Sequence, residues 1–169
     1  MGNGYAITAI IGKESVMDAA QGSFISSTFW TERIGPTAAI KTLEEMEKIK
    51  SWEIITNIGK AIRKNWEILA KRNNLNIQIS GLPALSSFVI KSNDWIKYKT
   101  FITQEMLNAN ILASNAIFVC TKHDKKILSL YYSKLDEVFR KIEKFESKSL
   151  NIDQYLKTDV CQVGFKRLN

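Results

Sequence analysis

The chain has 169 residues, 45% of them hydrophobic, which is enough to bury one sizeable core, and the length alone predicts a single domain. The chain has 24 basic and 17 acidic residues, a formal net charge of +7. The lysines are scattered over the polar faces of predicted helices without aromatic residues between them. This distribution favours a solvated surface over a nucleic-acid interface. No apolar run approaches the roughly 18 residues of a membrane span and no signal peptide opens the chain, so we expect a cytoplasmic protein that does not bind membranes.

The opening stretch, MGNGYAITAIIG, predicts a glycine turn followed by a strand. Gly2 and Gly4 suit backbone positions with positive φ or close backbone approach, and residues 5–11 are almost wholly apolar. ESVMDAAQ then favours a short helix, and GSFISSTFWTERIGPTAA, rich in Ser, Thr and Gly, predicts an ordered loop. We expect the opening strand to belong to a sheet that this chain does not contain.

The middle of the chain predicts helix, then strands. Pro36 suits a first helical turn, and apolar residues at helical spacing predict one long helix from there to KRNN, bent near Ser51. Alternation from Leu75 to Ser80, a GLP break and then LSSFVI predict two short strands joined by a turn.

The last part predicts a helix over 98–108, a strand at AIFVC and a further helix with an apolar stripe over 127–142. Thr121 and Asp124 fit a capping box at the start of that helix, with His123 inside it as a structural residue. The remaining residues predict one helical turn. Cys120 and Cys161 lack CxxC spacing, so we expect no metal site and no disulfide.

This element order predicts an α+β unit in which a small sheet is covered by helices. We expect three regions: residues 1–35 as a strand, short helix and loop that project from the unit; residues 36–145 as the compact α+β domain; and residues 146–169 as a tail.

Three segments in series, MGNGYAITAIIG, SSTFWTERIGPTAA and NILASNAIFVCTKHDKKI, resemble the C-terminal part of class III pyridoxal phosphate-dependent aminotransferases, in the branch similar to glutamate-1-semialdehyde 2,1-aminomutase. The resemblance covers nearly the whole chain up to about Lys144. It implies the small α+β domain of a fold-type I transferase, an α/β fold as a whole, preceded here by one strand of the large domain.

The resemblance also implies which part of the catalytic machinery is present. In that family the catalytic lysine ends a strand just ahead of the glycine turn, so the likeness places this lysine before residue 1, together with the carboxylate that keeps the pyridine nitrogen protonated. No catalytic residue is therefore assigned in this chain, which is expected to be inactive alone. The intact protein is expected to bind pyridoxal 5′-phosphate and small-molecule amino donors and acceptors, as a homodimer.

For the cofactor phosphate the family uses a threonine in a loop ahead of a helix, donated across the dimer. The context SST indicates Thr28, whereas the distance to Pro36 indicates Thr31; Thr28 is preferred and Thr31 stays open. Either hydroxyl alone could instead cap the following helix or satisfy loop backbone. Trp30, Glu32 and Arg33 share the loop and could border a substrate channel or pack at a surface.

Reaction type and gene structure stay open at this point. LASNAIF lacks the acidic residue that the aminomutase branch tends to carry there, which favours an ordinary transaminase of unidentified substrate. The chain could be a true gene product, a truncation or half of a split gene. The competing hypothesis is a non-catalytic basic α+β module that binds an anionic partner through its positive surface.

Overall fold

The computed structural model describes residues 1–25, 28, 29, 31–162 and 164. The chain divides into two compact units, Met1–Trp52 and Glu53–Asn169. The first contains helix α1 (Glu14–Met17), a 3₁₀ turn (Asp18–Gly22) and helix α2 (Ile34–Ile49). Helix α3 (Ser51–Arg72) begins at the junction and continues into the second unit. The predicted boundaries at residues 35 and 145 stay predictions.

The glycine turn at the start of the chain is present, but the strand after it is not. Asn3 and Gly4 have φ values of 48° and 108°, and the Tyr5 N–H donates to the Gly2 carbonyl at 3.2 Å. Residues 7–13 have no regular secondary structure, and Ile11 is 91% exposed. The prediction of a strand over residues 5–11 is therefore wrong for this chain, because an apolar segment becomes a strand only against a partner, and among the described residues the segment pairs only at Tyr5, in an isolated bridge to Gly2.

The predicted single long helix is two helices, which corrects the expected bend near Ser51. Lys50 adopts a left-handed conformation (φ 50°, ψ 50°) and ends α2, with its N–H donating to the Glu47 and Met46 carbonyls. Lysine has no special preference for positive φ, so nothing in the periodicity marks this break.

The second unit holds a three-stranded antiparallel sheet in the order β1-β2-β3. Strand β1 is Ile77–Leu82, β2 is Leu85–Ile90 and β3 is Ala116–Phe118. The register pairs Ile77 with Ile90 and Ser87 with Ala116. The three predicted strands are confirmed, with β1 starting two residues late and β3 shorter than AIFVC.

Helices α4 (Trp95–Asn108) and α5 (Lys125–Glu146) supply most of the remaining core, and a 3₁₀ turn (Ile152–Gln154) follows. Phe88 of β2 lies at its centre, with its ring edge-on to Trp66 of α3 at 4.9 Å and to Phe139 of α5 at 5.6 Å. All three side chains are completely buried. The predicted α+β class is confirmed, and a helix crossing a membrane is not found in the described part of the chain.

Helix α5 begins one residue after Asp124, whose carboxylate accepts the Ile127 N–H at 2.8 Å. The capping box starting at Thr121 is thus wrong: Asp124 is itself the N-cap, and Thr121 lies in the preceding turn. In that turn His123 Nδ1 accepts the Cys120 N–H at 3.2 Å, a structural use of the histidine.

Charged groups join the helices of the second unit. Asp136 of α5 accepts from Arg72 at 3.2 Å and from the Asn73 amide at 2.8 Å. Glu105 of α4 lies 3.1 Å from Lys141 of α5. Burial by itself raises the pKa of Glu105, but its hydrogen bonds, that from Lys141 foremost, outweigh this and leave the pKa below its usual value.

Candidate functional site

The two candidate threonines lie in the loop that leads into α2. Thr28 and Thr31 each belong to a turn and are exposed, and the Glu32 N–H donates to the Phe29 carbonyl at 3.2 Å across the second turn. Ser26 and Ser27 of the SST context, and the channel candidate Trp30, lie outside the described residues. The structure therefore places both threonine hydroxyls on the surface just ahead of a helix.

Neither hydroxyl serves the local backbone in the way that the alternative interpretation expects. Within residues 1–25, 28, 29 and 31–52, no group hydrogen bonds to either hydroxyl, and α2 has no side-chain cap at its N-cap residue, Arg33. A third threonine, Thr37, donates instead to the Arg33 carbonyl at 2.8 Å. Among the described residues, nothing competes with a ligand for either candidate hydroxyl.

The start of α2 adds further donors beside this loop. The backbone N–H groups of Ile34 and Gly35 are accepted by no described residue, as expected for a first helical turn, and Pro36 has none to offer. Arg33 is exposed, and the positive end of the helix dipole lies here. The hydroxyls and guanidinium of this loop and the N–H groups of the first turn of α2 are the types of donor that suit an oxyanion such as phosphate. Glu32, half-buried in the same loop, is the acidic neighbour.

Gly35, in the same region, makes a contact that the sequence did not predict. It is buried at the start of α2, and a Cβ placed there would lie 2.6 Å from the Ala6 carbonyl oxygen and 3.3 Å from Ile7 Cβ. The sequence offers one signal, a glycine immediately before the proline at a helix start. The spacing of apolar residues gives no reason for a glycine there.

Two further features of the described chain bear on other kinds of site. No group of three or more His, Cys, Asp or Glu side chains within it could hold a metal ion. A cavity of about 240 Å³ beside β3 is mainly apolar, and His123 at its rim is engaged with the backbone of Cys120. This cavity has the composition of an incompletely filled core.

Comparison with known proteins gives two curated relatives, while no family profile matches the chain. The 3-aminobutyryl-CoA aminotransferase of Cloacimonas acidaminovorans (strain Evry) is 26% identical over 150 residues, which are 85% of this chain and 36% of the relative. The aminopentol aminotransferase of Sphingopyxis macrogoltabida is 32% identical over 79 residues, 47% of this chain and 19% of the relative. The chain thus spans about a third or less of each of these relatives.

Among solved structures, the chain is similar to the FumI protein of Sphingopyxis sp. MTA144, determined in its PLP internal aldimine form. The TM-score is 0.72 at 21% sequence identity, covering 92% of this chain and 38% of the neighbour. The fold of almost the whole chain therefore matches one part of a larger fold.

Proposed function

We propose that this chain is the C-terminal portion of a transaminase of the class III pyridoxal phosphate-dependent aminotransferases, a proposal that the two aminotransferase relatives and the structural likeness support. Pyridoxal phosphate is the cofactor of the family. The whole enzyme would move an amino group between a small-molecule donor and a keto or aldehyde acceptor. Both curated relatives carry the name aminotransferase, which supports a transaminase over an aminomutase.

The observation that carries this proposal is the donor set ahead of α2. Two exposed hydroxyls without partners among the described residues, those of Thr28 and Thr31, are followed in the chain by the exposed Arg33 and by the N–H groups of Ile34 and Gly35, which no described residue accepts. This set fits the phosphate end of the cofactor, because phosphate oxygens accept several short hydrogen bonds. When bound, the cofactor supplies an electron sink for chemistry at the amino-bearing carbon.

The chain's own residues would then hold and orient the phosphate and take no part in proton transfer. Thr28 is the preferred donor, with Thr31 as the alternative, and the resemblance indicates that it reaches the cofactor of the neighbouring subunit in a homodimer. The lysine that holds the cofactor is expected in the part of the relatives that this chain does not span. We expect the complete enzyme in the cytoplasm.

The hypothesis of a basic module for an anionic partner has less support. Lys41, Lys97, Lys134 and Lys141 each form an ion pair with a carboxylate. These ion pairs neutralise part of the positive surface on which that hypothesis depends. Binding of nucleic acid at low ionic strength that weakens steeply with added salt would support the hypothesis again.

The proposal is tested first at the level of the gene. The DNA just upstream of the Met1 codon should encode, in frame or after one frameshift, a strand followed by a lysine within a few codons. An unrelated or untranslated upstream region would refute the enzyme interpretation for this gene product.

The protein-level test supplies, as a fusion or a co-expressed chain, the part of the relatives that this chain does not span. Cofactor binding should then appear, and Thr28→Ala should weaken it by about 1.5–3 kcal/mol, roughly 10- to 150-fold in Kd, as for loss of a hydrogen bond to a charged group. Thr42→Ala is the matched control, because the Thr42 hydroxyl lies within α2 and donates to the Ala38 carbonyl. A larger effect of Thr31→Ala would assign the phosphate to Thr31, and no effect of either would refute the phosphate role.

The 169-residue chain by itself supplies a further control. Borohydride should fix pyridoxal phosphate to it no more than to random surface lysines. Transamination by the isolated chain would show that the catalytic lysine has been placed wrongly.

A further inference from the structure

We propose that Gly35 is a positioning residue. Because it has no side chain, the Ala6 backbone can pack against the first turn of α2, and this contact fixes the position of the phosphate loop, residues 28–33, and of the N–H groups that follow it. The inference rests on the proposed function for the role of the loop, and on geometry for the contact. Within this unit the start of α2 and the opening turn pack against each other through glycines.

Gly35 is needed for space and not for backbone conformation. It lies inside α2, so its φ is helical, and any residue could adopt it. It is nevertheless buried while its neighbours Ile34 and Pro36 are exposed. A Cβ at 2.6 Å from the Ala6 carbonyl oxygen is closer than side-chain carbons approach a backbone oxygen in proteins, so any larger residue would have to push α2 and the Ala6 backbone apart.

A second glycine fixes the other side of the same contact. Gly2 is buried, and a Cβ there would lie 2.6 Å from the Tyr5 carbonyl oxygen and 2.9 Å from Ile7 Cγ2. Ile7 therefore lies close to the backbone of both glycines. The Gly2–Tyr5 turn, the segment Ala6–Ile7 and the start of α2 thus form one packed group, to which α2 contributes the buried Gly35.

A displacement at Gly35 would reach the phosphate donors directly. The loop that carries Thr28 and Thr31 ends at Arg33, the N-cap residue of α2, and the N–H groups of Ile34 and Gly35 belong to the first turn of that helix. Hydrogen bonds weaken steeply once distance or angle departs from the preferred range, so a shift of a few tenths of an ångström across several donors lowers affinity for the anion.

The experiment is a titration of the ¹⁵N-labelled 169-residue chain with inorganic phosphate, followed by NMR. In the wild-type chain the amide signals of Thr28, Thr31 and Gly35 should shift in a weak but saturable manner. In Gly35→Ala the signals of Ala6 and Ile7 should move before any phosphate is added, and the phosphate affinity should fall at least 5-fold.

Gly22→Ala is the matched control, because a Cβ at Gly22 would meet nothing within 4 Å, and it should change neither the Ala6 signals nor the affinity. If Gly35→Ala loses the dispersed signals of residues 1–52, Ile7→Ala tests the same contact without introducing a clash. It should lower the phosphate affinity about 2- to 5-fold.

The outcomes separate the two proposals. A wild-type chain that shows no phosphate response at Thr28 or Thr31 removes the phosphate site and with it the role of Gly35. A wild-type response that Gly35→Ala and Ile7→Ala leave unchanged overturns the positioning role alone, whatever happens to thermal stability. Displacement of Ala6 together with the loss of affinity supports it.

Discussion

Two adjacent tyrosines of α5 should respond in opposite ways to the same substitution. The Tyr131 hydroxyl accepts the indole N–H of Trp66 at 2.9 Å, and both side chains lie in the core, with Trp66 completely buried. Tyr131→Phe removes the acceptor and leaves a buried N–H without a partner. The expected loss is about 1–3 kcal/mol of the free energy of unfolding, the cost of an unsatisfied buried donor.

Tyr132→Phe is the matched control within the same helix turn. The Tyr132 hydroxyl is buried and, among the described residues, has no hydrogen-bond partner. Burial raises the pKa of both tyrosines, so both hydroxyls are neutral at pH 7 and neither substitution changes a charge. Tyr132→Phe removes an unsatisfied polar atom and should be neutral or stabilising by up to about 1 kcal/mol.

Urea unfolding followed by circular dichroism measures the difference. With an m-value of about 2 kcal/mol/M, a loss of about 2 kcal/mol lowers the midpoint by about 1 M, which is well resolved. If Tyr132→Phe costs as much as Tyr131→Phe, the Trp66–Tyr131 hydrogen bond is not what stabilises this part of the core.

Three further predictions concern the second unit. Gly59→Ala should destabilise the protein by about 1–3 kcal/mol in thermal unfolding, because its Cβ would overlap the Pro83 carbonyl. This loss would outweigh the preference of alanine for a helix, about 1 kcal/mol. A stabilised variant would contradict the contact. Asp136→Ala should cost about 1–3 kcal/mol, because the half-buried Asp136 carboxylate accepts from both Arg72 and Asn73, whereas Glu137→Ala, which removes an exposed ion pair, should cost under about 0.5 kcal/mol. Equal costs in urea unfolding would argue against a stabilising role for the Asp136 hydrogen bonds. Folding lowers the pKa of Glu105, so the ionised side chain contributes to the free energy of unfolding above about pH 4.5, and this contribution is lost as the pH falls through the folded pKa. The urea midpoint of the wild type should therefore drop more between about pH 7 and about pH 3 than that of Glu105→Gln. Parallel curves of midpoint against pH would refute this.

Elements whose cause is local were predictable from the sequence. The alternation around Ile77 and Ile79 and the apolar stripe of α5 depend on periodicity, and both are found where expected. The strand over residues 5–11 failed because strand formation needs hydrogen bonds from a partner, which composition does not supply. Lys50 broke a helix without any of the residues that usually do so.

The candidate site was accessible to sequence reasoning only in part. Thr28 and Thr31 came from the resemblance, and periodicity alone would have treated them as ordinary loop residues. Gly35 gave no usable signal, because its role depends on a backbone oxygen 29 positions away along the chain. Contacts between a glycine and a distant main chain depend on tertiary packing, and no local pattern encodes them.

The tail beyond α5 shows the same limit and yields a last prediction. After its one expected helical turn, the tail is attached to α4 by polar side chains. The Gln104 side-chain amide donates to the Tyr155 carbonyl at 2.9 Å and accepts the Lys157 N–H at 2.8 Å. Thr100 Oγ1 accepts the Cys161 N–H at 2.9 Å. If this segment docks as a unit, Gln104→Ala should speed hydrogen exchange at both the Lys157 and Cys161 amides, because losing the two-point amide contact frees the backbone between them. Gln104→Glu keeps an acceptor for Lys157 but loses the donor to Tyr155, so Lys157 should retain more protection than in the alanine variant. A Cys161 amide that keeps full protection in Gln104→Ala would show instead that Thr100 holds the end of the segment independently.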